Sequence, residues 1–198
     1  MQQLWRSDLY YIACRLEGSA GSLIERIKQV AILLALLAAA LIAVDQLVKY
    51  WAIYELKPVG TMDFIHIGDF KIFDLTYLEN QGAIFGVMSG KRWFLVGFTS
   101  IVVLAGIVLL IKLFKRSKFL NVAITLFIAG GIGNLIDRFR FAYVVDMFEL
   151  KLFRFAIFNV ADICVTVAFV MLLIYGIFID PKNEKAKKPE KAASDSDE

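Results

Sequence analysis

The chain has 198 residues, of which 59% are hydrophobic and 21% are charged, with a formal net charge of +3. A soluble globular domain contains about 45–50% apolar residues, so this composition excludes a soluble enzyme with a charged surface, and it equally excludes a disordered chain. The basic excess is too small to indicate nucleic-acid binding. The class that remains is a polytopic membrane protein.

Four apolar runs are long enough to cross a bilayer core of about 30 Å as helices. They extend from Val30 to Trp51, from Trp93 to Ile111, from Phe119 to Ile136 and from Phe155 to Ile179. The segment before the first run is too long for the n-region of a cleaved signal peptide, so we expect this run to remain as a span. The predicted fold class is an all-α membrane protein with four transmembrane helices and a small extracytoplasmic β-sheet.

Lysine and arginine are concentrated before the first run, between the second and third runs, and after the fourth. By the positive-inside rule, both termini and the middle loop are expected in the cytoplasm, while the loops 55–92 and 137–154 face outward. The predicted organisation is a cytoplasmic extension over 1–27, a membrane domain over 28–180 and a disordered, charged tail over 181–198. A membrane-surface helix and a loosely ordered segment are equally compatible with the extension.

The first outward loop has the pattern of strands rather than of a helix. Phe64–Ile67 and Phe70–Phe73 flank a Gly-Asp pair and predict a hairpin, and Leu75–Leu78 is a candidate third strand. His66, the only histidine, is expected to be an exposed strand residue of this loop. The two cysteines lie far apart and have no zinc-site spacing, so we expect neither a metal nor a cofactor.

Polar side chains within or beside the apolar runs are the candidates for function, because an ionised group at mid-bilayer costs about 2.5–3.5 kcal/mol on insertion scales. These candidates are Asp45, Lys49, Asn134, Asp137, Arg138, Asp146, Asn159 and Asp162. Asp45 and Lys49 are four residues apart and can neutralise one another, so a structural and a functional role remain equally open for them. The neighbours Asp137 and Arg138 have the same two interpretations, as an ion pair at a helix end or as site residues.

Asp162 has no basic neighbour in the sequence that could neutralise it, which favours a functional role. With the fourth helix starting near Phe155, Asp162 would lie about 10 Å inside it. Asp146 lies in the outward connection before that helix, within an apolar stretch that would raise its pKa unless it is paired. The two carboxylates can therefore meet below the outer surface and share one proton. In an aspartic protease, one such carboxyl takes a proton from water and the other supports the amide carbonyl.

Five short blocks occur in order along the chain. They are Asp45–Trp51, Asn80–Gly86, Gly130–Arg138, Val144–Met147 and Phe158–Asp162. In these blocks the chain resembles the lipoprotein signal peptidase family, also called signal peptidase II, over roughly residues 30–180. It departs from the usual family pattern at Ala142, where Gly is usual, and at Met147, where Phe is common.

The resemblance implies an aspartyl endopeptidase of the bacterial cytoplasmic (inner) membrane, with its active site near the outer leaflet. We expect it to be a monomer. The implied substrate is a diacylglyceryl-modified prolipoprotein, cut N-terminal to the lipidated cysteine, and the outward sheet would be a cradle that holds it at the membrane surface. Membrane lipids are the other implied partners. The implied catalytic pair is Asp146 and Asp162. The residues that bind substrate or order the site would be Asn80, Gly82, Asn134, Arg138 and Asn159, with Asp45, Lys49 and Asp137 as supporting polar residues.

Three other interpretations fit the residues less well. A proton-coupled transporter would place carboxylates at several depths, whereas these cluster toward the outer side. A presenilin-type protease needs Gly-x-Gly-Asp, and this chain has Asn134 at the fourth position. A Ser-Lys peptidase would use Ser89 and Lys91, which are better explained as a polar loop before Trp93.

Overall fold

Helices dominate the computed structural model, which describes residues 2–68, 70–82, 90–153 and 155–179, with the backbone alone for 2–23 and for Phe70. Contacts divide the chain into two units, Met1–Leu37 and Ala38–Glu198, and every side chain considered below belongs to the second. Several predicted features lie outside the described residues. These are Asp69 of the Gly-Asp turn, the end of the second block from Ala83, Ser89, and the tail 181–198.

Within the part of the chain that the structure describes, four helices are long and apolar enough to cross a membrane, as predicted. They are α1 (Gln2–Trp51), α2 (Arg92–Leu113), α3 (Lys118–Phe141) and α4 (Val160–Ile174), and single π-helical segments over Ala52–Leu56 and Tyr175–Ile179 continue α1 and α4. The backbone of the N-terminal extension is helical from Gln2 onward. Phe98, Ile101 and Leu104 of α2 are exposed. Large apolar side chains on the outer side of a helix suit lipid rather than water.

Helix α4 starts later than the sequence prediction placed it. The prediction put the start near Phe155, whereas α4 begins at Val160 with Asn159 as its N-cap. Phe158 forms backbone hydrogen bonds with Phe148 instead, and so it continues the sheet rather than the helix. Asp162 is therefore the third residue of the helix, and the predicted depth of about 10 Å along it was wrong.

Three antiparallel strands form a small sheet in the order β1-β2-β3. They are β1 (Thr61–Ile67), β2 (Phe70–Asn80) and β3 (Val144–Leu150). The predicted pairing of the first two strands is confirmed, and His66 is an exposed residue of β1. The prediction of Leu75–Leu78 as a separate third strand was wrong, because these residues continue β2. The third strand is β3, which the sequence analysis treated as a connection.

An apolar cluster attaches β3 to the end of α1. Val145 and Met147 of β3 are fully buried and pack with Leu75 of β2 and with Ala52 and Leu56. Successive side chains of a strand point to opposite faces. Asp146, between two core residues, therefore points away from this cluster and toward the polar site described below.

Glycines let α3 lie close to α4 and leave room for an acidic side chain of α1. A Cβ on Gly133 would lie 2.6 Å from the Asp45 carboxylate and 3.2 Å from the Cβ of Ala161. A Cβ on Gly130 would collide with the Ala161 carbonyl oxygen. Small residues let helices approach in this way, which brings the polar side chains of α1, α3 and α4 within hydrogen-bond distance of one another.

Candidate active site

The carboxylates of Asp146 and Asp162 both accept a hydrogen bond from one residue, Asn159. The Asn159 side-chain amide donates a hydrogen bond of 2.6 Å to Asp146 Oδ1, and its backbone N–H donates one of 3.2 Å to Asp162 Oδ2. Asp146 is 1% exposed. Two acidic side chains, one from a strand and one from the following helix, thus meet around a single residue, with Asp146 buried and Asp162 half-buried.

The start of α4 determines the position of Asp162. Asn159 Oδ1 accepts the backbone N–H of Asp162 at 3.0 Å, while the Asp162 carboxylate accepts the backbone N–H of Asn159. This reciprocal pair is a capping box built from Asn and Asp. A carboxylate in the first turn is also favoured by the positive end of the helix dipole. Asp162 is therefore held by the same contacts that begin the helix.

Asn134 of α3 connects the pair to the rest of the polar network. Its amide nitrogen donates to Asp162 Oδ1 at 2.8 Å, and its amide oxygen accepts from Asn159 Nδ2 at 3.1 Å and from Lys49 Nζ at 3.0 Å. An amide has one accepting end and one donating end, so these partners determine which way it faces. The amide is oriented to donate to Asp162.

A second series of contacts leads from Asp146 toward the segment that follows β2. Asn80 Nδ2 donates to Asp146 Oδ2 at 2.9 Å, and Asn80 Oδ1 accepts the Gly82 N–H at 3.0 Å. Arg138 Nη2 donates to the Gly82 carbonyl oxygen at 3.0 Å. Asn80, Gly82 and Arg138 therefore form one linked group beside Asp146.

Lys49 forms buried ion pairs with two carboxylates. Its Nζ lies 2.9 Å from Asp45 Oδ2 and 3.0 Å from Asp137 Oδ2, and all three side chains are at most 3% exposed. The predicted pairing of Asp45 with Lys49 is present, and Asp137 is a further partner. Asp137 and Arg138, considered above as a helix-end ion pair, have separate partners in Lys49 and Gly82.

Two further residues contribute to the site that sequence reasoning did not single out. Gln46 donates to Asp45 at 3.2 Å and to Asp137 at 3.1 Å. Arg92 donates to the carbonyl oxygens of Arg138 and Phe139 at the end of α3, each at 2.8 Å. The position of Gln46 beside Asp45 in the first block was a usable signal, whereas nothing in the sequence connected Arg92 with α3.

The surroundings of Asp146 alter its protonation. Burial raises the pKa of Asp146 to about 7, and the nearby Asp162 carboxylate adds to the increase, while the hydrogen bonds from Asn80 and Asn159 oppose it. A carboxyl with such a pKa exchanges its proton near neutral pH, as general acid–base catalysis requires. Among the residues that the structure describes, no three His, Cys, Asp or Glu side chains are grouped so that they could hold a metal ion.

Comparisons with known proteins agree on one family. The family described as Signal peptidase (SPase) II matches residues 37–178. The chain is 41% identical to the lipoprotein signal peptidase of Clostridium acetobutylicum over 152 residues, which are 75% of this chain and 96% of that relative. It is 40% identical to that of Streptococcus agalactiae serotype Ia over 143 residues, 72% of this chain and 90% of the relative.

A solved structure has a similar fold. A bacterial membrane enzyme determined by the in meso method at 2.3 Å resolution superimposes with a TM-score of 0.65 at 32% sequence identity. The superposition covers 76% of this chain and 90% of that one. The similarity therefore includes most of both chains.

Proposed function

This chain belongs to the signal peptidase II family, and on that premise we propose that it removes signal peptides from diacylglyceryl-modified prolipoproteins, with Asp146 and Asp162 as the catalytic pair. Cleavage would fall N-terminal to the lipidated cysteine. The observation that carries the assignment is the contact of both carboxylates with Asn159 in a site lined by amides.

The proposed mechanism uses one water molecule and one shared proton. The ionised member of the pair takes a proton from the water, which attacks the carbonyl carbon of the scissile amide. The protonated member donates a hydrogen bond to the carbonyl oxygen, where negative charge develops. The C–N bond of the amide then breaks, and the nitrogen leaves as an amine with the proton that the first carboxylate took from the water. Two neighbouring carboxylates do not both ionise readily, so the pair retains one proton. Amide donors on both carboxylates hold them in place during these steps.

A lipid-modified substrate explains why the site belongs to a membrane protein. Each buried methylene contributes about 0.8 kcal/mol to membrane binding, so two acyl chains keep the precursor in the bilayer. Met62, Phe64 and Ile67 of β1 are exposed, which supports a sheet that contacts the membrane surface and the substrate. We therefore propose that the sheet acts as a cradle beside the site.

The proposed arrangement in the cell follows from the distribution of basic residues. Lys and Arg gather before the first apolar run, around the connection between α2 and α3, and after α4, which supports cytoplasmic termini. The sheet and the carboxylate pair would then face the outer leaflet of the bacterial inner membrane. We propose that the membrane domain 28–180 works as a monomer surrounded by lipid, with 1–27 and 181–198 in the cytoplasm.

Cleavage of paired precursor peptides tests this function. The full chain, purified in detergent, is incubated with a precursor peptide whose cysteine carries a diacylglyceryl group and with the same peptide without it. We expect the lipidated peptide to be cut at least about a hundredfold faster, because its acyl chains concentrate it at the site. Mass spectrometry should identify a product that begins with the lipidated cysteine. Equal cleavage of both peptides, or of neither, would overturn the proposed substrate.

The pH dependence should follow the proton of the pair. The pKa of Asp146 lies near 7. Above that pH the pair loses its shared proton, and with it the carboxyl that donates to the carbonyl oxygen, so kcat should fall about tenfold per pH unit. Replacing Asn80 with Ala removes a hydrogen bond that lowers this pKa, so the fall should move to higher pH. The measurement is kcat on the lipidated peptide from about pH 5 to about pH 9. A rate that keeps increasing across this range would contradict the shared proton.

A further inference from the structure

Two buried carboxylates hold the backbone next to the two proposed catalytic residues. The N–H of Ala161, the residue before Asp162, donates to Asp45 Oδ1 at 2.8 Å. The N–H of Val145, the residue before Asp146, donates to Asp137 Oδ2 at 3.1 Å. Each carboxylate thus fixes the chain one residue away from one member of the pair.

Lys49 links these two carboxylates to one another. Its Nζ contacts Asp45 at 2.9 Å and Asp137 at 3.0 Å, using the oxygen of Asp45 that does not bind Ala161. A continuous series of contacts therefore runs from the start of α4 through Asp45, Lys49 and Asp137 to β3. The third contact of Lys49, to Asn134 Oδ1, turns that amide toward Asp162.

Stability alone does not account for the burial of the Asp45, Lys49 and Asp137 side chains. Apolar residues of similar volume often replace a buried ion pair or triad without loss of stability, and sometimes with a gain. Apolar side chains, however, cannot accept the N–H groups of Ala161 and Val145. Gly133 leaves the space that Asp45 occupies, since a Cβ there would lie 2.6 Å from Asp45 Oδ2. The packing of α3 against α1 is thus adapted to this carboxylate.

We propose that Asp45, Lys49 and Asp137 form a positioning triad that sets the separation of the Asp146 and Asp162 carboxylates, an inference that rests on the proposed function. The triad does not touch the substrate. It acts through the backbone of Ala161 and Val145. A misplacement of about 1 Å in a reacting group can reduce a rate about a hundredfold, so the loss of these two acceptors should appear in kcat.

Two uncharged versions of the triad separate positioning from charge. Both carry Lys49→Met, combined either with Asp45→Asn and Asp137→Asn or with Asp45→Leu and Asp137→Leu. The Asn version keeps an oxygen that can accept each N–H, whereas the Leu version keeps only the volume. Lys49→Met removes one of the two donors that orient Asn134, and Asn159 remains as the other. We therefore expect the Asn version to retain kcat within about tenfold of wild type, and the Leu version to have a kcat about a hundredfold lower than the Asn version. KM should stay within about twofold, because the cradle is unchanged.

The experiment uses the full chain and the lipidated precursor peptide, with melting temperatures measured for every variant. Thr125→Val is the matched control, since Thr125 is a buried polar residue of α3 that bonds the Asn121 carbonyl, more than two turns from Asn134. It should cleave as wild type does. If wild type and this control do not cleave the peptide, the proposed function fails and the triad inference fails with it.

Other outcomes address the triad alone. With an active wild type, equal kcat values for the folded Asn and Leu versions would overturn the positioning role, as would a loss confined to KM. A folded Asn version without activity would also overturn the positioning role, because oxygens that accept the two N–H groups would then not be enough for catalysis. If the Leu version does not fold, two further variants are made from the Asn version. One carries Asp45→Leu in place of Asp45→Asn, and the other carries Asp137→Leu in place of Asp137→Asn. Each is expected to reduce kcat at least about tenfold, and an unchanged kcat in both would reject the proposal.

Discussion

The substitutions Asp146→Asn and Asp162→Asn are each expected to abolish cleavage, with kcat reduced by about 10⁴-fold, the upper range for a positioned acid–base group. Asn has nearly the volume of Asp and keeps one accepting oxygen, but it neither takes nor gives a proton at neutral pH. Asn80 and Asn159 donate to different oxygens of Asp146, so the Asp146→Asn protein keeps an acceptor for one of these two amides. The loss of one hydrogen bond should leave the protein folded. The measurement is single-turnover cleavage of the lipidated peptide, with a melting curve for each variant.

Asp74→Asn is the matched control for this pair. Asp74 is also a buried aspartate of the sheet, yet its Oδ2 lies 3.5 Å from Lys151 and its Oδ1 has no hydrogen-bond partner. It should therefore tolerate Asn with kcat within about twofold of wild type. Normal turnover by either Asp146→Asn or Asp162→Asn would remove the assignment of the catalytic pair.

Asn159→Ala should produce the second large effect, a loss of about 10²–10³-fold in kcat. Its side chain donates to Asp146 at 2.6 Å and to Asn134 at 3.1 Å, and it accepts the Asp162 N–H at 3.0 Å. Removing it releases both carboxylates. Loss of the N-cap should also destabilise the protein by about 1 kcal/mol. Steady-state kinetics and thermal unfolding measure the two effects.

Asn159→Ser separates the cap from the site. Serine is a good N-cap residue and can still accept the N–H of Asp162, but it cannot reproduce the amide donor to Asp146. We expect Asn159→Ser to recover most of the stability that Asn159→Ala loses, while its kcat stays as low as that of Asn159→Ala. A wild-type kcat in Asn159→Ala would show that Asn159 does not order the pair.

The sequence was informative wherever function depends on residue type and short spacing. Apolar length alone identified four membrane-crossing helices, since the thickness of a bilayer is constant. The alternation around Gly68 predicted the pairing of β1 with β2, because a hairpin is a local structure. Asp162 stood out because an unpaired acid in an apolar run is costly, and Asp45 with Lys49 stood out through their helical spacing.

The sequence was uninformative about contacts between distant segments. It did not identify β3 as the third strand, because Val144–Leu150 becomes a strand by pairing with β2, more than sixty residues earlier. It placed the start of α4 too early, because the pairing of Phe158 with Phe148 competes with the helix. It did not pair Asp137 with Lys49, which are on different helices.

Composition and local pattern thus specified the class of this protein, its four spans and the acidic residues able to carry the chemistry, since each depends on transfer energies and short-range geometry. The arrangement of the site followed from packing. Gly130 and Gly133 allow α3 to approach its neighbours, and the contacts of Asn159 and Lys49 then bring side chains from α1, α3, β3 and α4 to one place. Such contacts depend on the three-dimensional positions of segments far apart in the chain, which no local pattern encodes.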